Sequence, residues 1–125
     1  MENGKTSYSA VLGVVLSNLR KSMNIEQGEM AERMGLSQPS YSRLESGKST
    51  FSVDQMFQSA NALGISFEEL NMRLIQNIQQ LQDNGIKVIQ PVRGNTAKAQ
   101  EQKNEVGQIL AGAALGALIF SMLTK

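Results

Sequence analysis

Between Ser9 and Met23 the apolar residues Leu12, Val15, Leu16, Leu19 and Met23 recur at intervals of three and four, which predicts an amphipathic helix. A second run, Glu26 to Met34, turns Met30 and Ala31 inward and Glu29, Glu32 and Arg33 outward before Gly35 breaks it. Only Gly35, Leu36 and Ser37 separate it from a third stretch, SQPSYSRLESG, running from Ser37 to Gly47. There Ser37 is suited to cap the helix, Pro39 sits in the first turn where no N–H is missed, and Gly47 accepts a left-handed stop. Tyr41 and Leu44 share one face of this helix, while Gln38, Ser40, Ser42 and Arg43 project elsewhere. Two short helices joined by a three-residue turn containing glycine have helix-turn-helix spacing.

Ser52 then caps a predicted fourth helix with Val53, Met56, Phe57 and Ala60 buried, stopping at Gly64. Ser66 and Glu69 have the spacing of a capping box for a fifth helix, which meets no breaker until about Asp83. Its stripe of Phe67, Leu70, Leu74, Ile78 and Leu81 overruns a compact five-helix unit, and an overhang of this kind commonly pairs with another helix. Asp83-Asn84-Gly85 is turn chemistry, Ile86 to Ile89 reads as a short extended piece, and Arg93 to Glu105 reads as a polar linker. Val106 to Leu123 carries no charge; as a helix its 18 residues would extend ~27 Å, just short of a ~30 Å hydrocarbon core. Gly112 and Gly116, beside Ala113 and Ala117, form a flat G-x-x-x-G ridge on which a helix can pack. The expected divisions are 1–8, a flexible arm; 9–70, a helical domain; 71–84, a helix extension for dimerisation; 85–105, turn, extended piece and linker; and 106–124, an apolar helix.

Composition narrows the chemistry. In 125 residues there is no cysteine and no histidine, which removes disulfides and thiolate or imidazole metal sites and makes the cytoplasm the expected compartment. The opening MENGKTSYSA is polar and includes an acid, unlike a secretory signal. Net charge is only +1, and residues 1–70 hold six Lys or Arg against eight acids, so a nucleic-acid reading rests on where the cations sit. Glu29, Glu32, Glu68 and Glu69 form pairs at helical spacing but read as a solvated face. No nucleophile with a base, metal cluster or phosphate-cradling glycine loop accompanies them, so no enzyme, cofactor, metal or small-molecule ligand is expected.

Residues 19–70 contain a spaced set: Gln27, then Ala31, Gly35, Leu36 and Ser37, then Tyr41, Leu44, Glu45 and Gly47, and finally ANALGISFEEL from Ala60 to Leu70. This set resembles the lambda-repressor-like, or Xre/Cro-type, helix-turn-helix family over roughly residues 9–70. The resemblance implies an all-α fold: a five-helix domain with an extended fifth helix, then a linker and a C-terminal apolar helix. It implies that Gln27 and Ser37 touch the DNA backbone, that Gln38, Pro39, Ser42 and Arg43 face base edges, and that Lys48 and Ser49 meet phosphates. Arg20 and Glu45 occupy positions that pair across the domain in relatives. Tyr41 stands where an aliphatic residue is usual, Gly28 weakens the first turn of helix 2, and Pro39 offers no side-chain hydrogen bond to a base.

The expected function is that of a sequence-specific DNA-binding transcriptional regulator, a repressor acting as a homodimer on a two-half-site operator, with double-stranded DNA as partner. Leu74, Ile78 and Leu81 are the expected dimer contacts. The alternative is an antitoxin-like or scaffold module in which the tail and helix 5 bind a protein and DNA is secondary. Two readings of 106–123 stay open: a membrane anchor with Arg93, Lys98 and Lys103 on the cytoplasmic side, or an oligomerisation helix packed through Gly112 and Gly116.

Overall fold

The computed structural model describes residues 4–90 and 109–123. In chain order it contains β1 (Lys5–Ser7), α1 (Tyr8–Ser22), α2 (Gln27–Arg33), α3 (Gln38–Glu45), α4 (Val53–Leu63), α5 (Phe67–Asp83), β2 (Lys87–Ile89) and α6 (Gly112–Leu123). The proposed linker, Arg93 to Glu105, lies outside the described residues, as do residues 106–108 of the apolar segment.

Helix α1 is the axis of the molecule. Every residue from Ala10 to Leu16 is buried, because α3, α5, α6 and β1 close around it on different sides. Its stripe is therefore a full circumference from Ala10 to Leu16, and its ends reach solvent, where Tyr8, Asn18 and Lys21 are exposed. Gly13 sits where α1 crosses the end of α3. A Cβ there would lie 2.4 Å from the Glu45 carbonyl oxygen and 2.8 Å from that of Leu44, so backbone occupies the space a side chain needs. The helix-turn-helix is thus set at a distance from α1 that only glycine allows.

Capping follows the serines. Ser37, Ser52 and Ser66 each accept a hydrogen bond from the backbone N–H three residues on, and Ser52 with Gln55 completes the reciprocal box. Two readings of the burial pattern are corrected. On α4, Val53 is 68% and Phe57 47% exposed, while Ser59, Ala60, Ala62 and Leu63 face the core; Phe57 instead stacks on Phe67 with ring centroids 4.1 Å apart. On α5, Leu70, Leu74 and Leu81 are buried in the protein's own core and Ile78 is half-buried. Helix α5 continues along α1, and Leu81 near its end is fully buried.

The N-terminal arm is corrected as well. Lys5–Ser7 is a strand that pairs in parallel with β2, in the register Lys5 with Lys87, Thr6 with Val88 and Ser7 with Ile89. All five intervening helices form the crossover between these strands, as parallel pairing demands a long connection. On the other side of β1, the Leu110 N–H donates to the Lys5 carbonyl at 2.6 Å and the Thr6 hydroxyl donates to the Leu110 carbonyl at 2.7 Å. Thr6 is consequently fully buried, and Ser7 passes directly into the cap of α1.

This anchorage returns the apolar tail to the domain. Leu115, Ile119 and Met122 of α6 are buried against the protein's own core, mainly on α1. Gly116 faces Val14 and Gly112 faces Ser46, so the glycine ridge lies along α1 and the end of α3 of the same chain. Among the described residues no helix is long and apolar enough to cross a membrane.

Candidate nucleic-acid interface

Helix α3 is held from below by a buried ion pair. Glu45 accepts two hydrogen bonds from Arg20, from Nε at 2.9 Å and from the terminal nitrogen at 2.8 Å, and both side chains are about 8% exposed. The other terminal nitrogen of Arg20 donates to the Ile25 carbonyl at 2.9 Å, so one guanidinium ties α1, the α1–α2 loop and α3 together. Burial would raise the Glu45 pKa, but the hydrogen bonds from Arg20 and Gln27 and the adjacent guanidinium charge outweigh it and hold the carboxyl below its ordinary value. For Arg20 the hydrogen bond to Glu45 exceeds the opposing effect of burial and raises the pKa further. Tyr41 is fully buried beside this pair, and its pKa is pushed upward first by burial and then by Glu45. Its hydroxyl has no partner in hydrogen-bond geometry among the described residues, the consequence of a phenol standing where an aliphatic residue would satisfy the core.

With Tyr41, Leu44 and Glu45 turned inward, the opposite face of α3 is in solvent. Ser37, Gln38, Pro39, Ser40 and Arg43 are exposed and Ser42 is half-buried. Arg43 makes no ion pair or side-chain hydrogen bond among the described residues. Ser37 is already engaged: its hydroxyl accepts from the Ser40 N–H at 3.2 Å and donates to the Ser40 hydroxyl at 2.9 Å. Gln27 is half-buried, and its amide donates to Glu45 at 2.9 Å, which leaves its carbonyl oxygen and one N–H for an outside partner. At the far end of α3, Gly47 has φ of +80°, and the Lys48 and Ser49 N–H groups fold back onto the Arg43 carbonyl at 2.9 and 3.2 Å. Lys48 is exposed and Ser49 half-buried, so the turn sets a cation beside the end of the helix. A Cβ on Gly47 would come within 2.8 Å of the Ala111 methyl, which shows how tightly the returning tail braces this turn.

Two contributors escape a reading of the pattern alone. Gly28, which looks like a weakness in α2, lies under the Gln38 side chain: a Cβ at 28 would sit 3.4 Å from the Gln38 amide oxygen. Arg33, expected merely to be solvated, donates to the Ala62 carbonyl at 2.8 Å at the end of α4 and pairs with Glu29 on its own helix. The i, i+4 spacing of Glu29 and Arg33 was a visible signal for the second contact, whereas the first depends on how α2 packs on α4.

The arrangement is a rigid short helix presenting one carboxamide, one guanidinium and hydroxyl groups outward, with a lysine at its exit. Such donors and acceptors match base edges and phosphate oxygens. Comparison with known proteins agrees with this geometry. A helix-turn-helix family model matches residues 16–70. The cryptic phage CTXphi transcriptional repressor RstR of Vibrio cholerae serotype O1 is 35% identical over 88 residues, covering 62% of this chain and 79% of that protein. Among solved structures, the clp gene regulator ClgR from Corynebacterium glutamicum aligns with a TM-score of 0.56 at 20% identity, covering 81% of this chain and 96% of its own. A variant of the restriction-modification controller protein C.Esp1396I aligns with a TM-score of 0.56 at 16% identity, covering 58% and 95%. These two likenesses concern the fold.

Proposed function

The chain belongs to the lambda-repressor-like helix-turn-helix family, and from that premise we propose that it is a sequence-specific DNA-binding transcriptional regulator that represses by occupying an operator in the cytoplasm. The observation that carries this reading is the outward placement of Gln38 and Arg43 on a helix whose other face is locked by Arg20 and Glu45. In the proposed complex α3 enters the major groove, Gln38 pairs bidentately with an adenine, and Arg43 reaches a guanine edge or an adjacent phosphate. Ser40, Ser42 and Pro39 fill the groove beside them. Gln27, Ser37, Lys48 and Ser49 fix the register on the backbone. Arg20 is tied into the core and Arg33 to α4, so neither is free for phosphate, and affinity falls with salt less steeply than in strongly basic binders.

The regulator acts as a homodimer. One helix-turn-helix covers too few base pairs for useful selectivity, and two of them suit half-sites about 34 Å apart. Leu74 and Leu81 are engaged in the core, so the pairing surface on α5 is proposed to use Met72 and Ile75, neighbours on one helical face and each 54% exposed. The 35% identity to a phage repressor over 79% of its length supports repression as the mode of action.

Selection of duplexes from a random pool tests this reading. The wild type is expected to enrich one motif with two-fold symmetry, while Gln38→Ala and Arg43→Ala lose enrichment at defined positions and remain folded. A wild-type protein that enriches no sequence would overturn it and favour the protein-interaction alternative.

A further inference from the structure

Packing does not explain Gly116. Its backbone is helical without positive φ, glycine is a poor helix former, and a Cβ there would meet only a Val14 methyl at 3.9 Å, an ordinary contact. Gly116 instead forms part of the wall of a cleft of about 410 Å³ between α1, α3 and α6, where a larger side chain would intrude. This volume falls in the range of small-ligand sites. The opposite walls carry Ser17, Asn18 and Lys21 from α1 and Ser42 from α3, and none of these four side chains has a hydrogen bond or ion pair among the described residues. The Glu45 carboxylate also borders the cleft, but Arg20 and Gln27 occupy it and Arg20 balances its charge. What faces the opening is therefore one uncompensated ammonium with amide and hydroxyl donors around it, a set that matches the oxygens of a phosphate group.

We propose that the cleft between α1, α3 and α6 binds a phosphate group, held by Lys21, Asn18, Ser17 and Ser42 and admitted by the absence of a side chain at Gly116. The cleft adjoins Ser42 and Gln27, so its phosphate belongs either to the backbone of bound DNA or to a free phosphate-bearing small molecule that alters DNA binding from beside α3. Both sources rest on the DNA-binding reading above; phosphate binding itself does not.

The test uses the isotopically labelled full chain titrated with inorganic phosphate against a chloride control at equal ionic strength. Phosphate is expected to shift the amide resonances of Gly112, Ala113, Gly116 and Ser46. Lys21→Gln and Gly116→Leu are each expected to weaken that response at least tenfold, with Lys87→Gln, an exposed cation outside the cleft, as the control. Lys21 is exposed, so Lys21→Gln keeps the test valid even if Gly116→Leu disturbs α6. Absence of shifts at these positions, or an equal response in Lys21→Gln, overturns the proposal. The source is then read with a duplex. If Lys21→Gln lowers the slope of log affinity against log salt by about one, the phosphate is the DNA's. If that slope is unchanged and inorganic phosphate shifts the duplex affinity of the wild type but not of Lys21→Gln, the phosphate is free. A chain that binds no duplex but shows the phosphate shifts retains the site and loses only the DNA reading.

Discussion

Helices α3 and α6 are both short, both rest on α1, and both leave one face in solvent, yet those faces offer different chemistry. The outer face of α3 carries Gln38, Ser40 and Arg43; that of α6 carries Ala113, Ala114, Ala117 and Phe120. A methyl group has no directional contact to give a base edge apart from the thymine methyl, whereas a carboxamide or guanidinium distinguishes base pairs. Burial alone would rank the two helices alike. On the proposed function their outer side chains make α3 the reading element, while α6 is a brace that also closes against Gly47 at the exit of α3.

The largest expected effect removes the support beneath α3. Glu45→Ala leaves Arg20 buried and uncompensated and is expected to cost about 3–5 kcal/mol in urea unfolding. The same pair predicts an acid limit. Because the folded pKa of Glu45 lies below its ordinary 4.5, its contribution is fully present above that value and is lost as pH falls through the folded pKa. Stability measured below pH 4.5 should therefore decline less steeply in Glu45→Gln than in the wild type. On the α6 side, Leu115→Ala empties a fully buried position and should cost about 2–5 kcal/mol by the same measurement, with duplex selectivity retained in the folded fraction.

Much of this arrangement was legible beforehand, for identifiable reasons. Helices α1 to α5 announce themselves by three-and-four spacing and by Ser37, Ser52, Ser66 and Gly64 at their ends, and the outward set on α3 follows from Tyr41 and Leu44 turning in. Strand β1 was not legible, because Lys5-Thr6-Ser7 has no apolar alternation and its partner begins at Lys87. The stripe on α5 showed that one face is buried but not what buries it, and Leu74 and Leu81 turned out to complete the protein's own core. The same holds for Gly112: a small residue announces a close approach, while the identity of the approaching segment, here Ser46 at the end of α3, depends on the whole fold.

A smaller effect sharpens the contrast at the surface. Gln38→Ala is expected to lose about 1–3 kcal/mol of discrimination at one base pair, read by competition binding, with no loss of thermal stability. Ala117→Gln, an exposed change on α6, should alter both stability and selectivity by less than about 0.5 kcal/mol.

Cysteine is absent from the chain, so single introduced thiols can carry a DNA-cleaving metal chelate to one chosen position. Attached at Arg43→Cys, the chelate should cut the selected duplex within a few base pairs of each half-site; attached at Ala117→Cys, it should leave those positions intact. Cleavage centred on the half-sites from residue 117 and none from residue 43 would contradict the assignment of α3 as the reading helix.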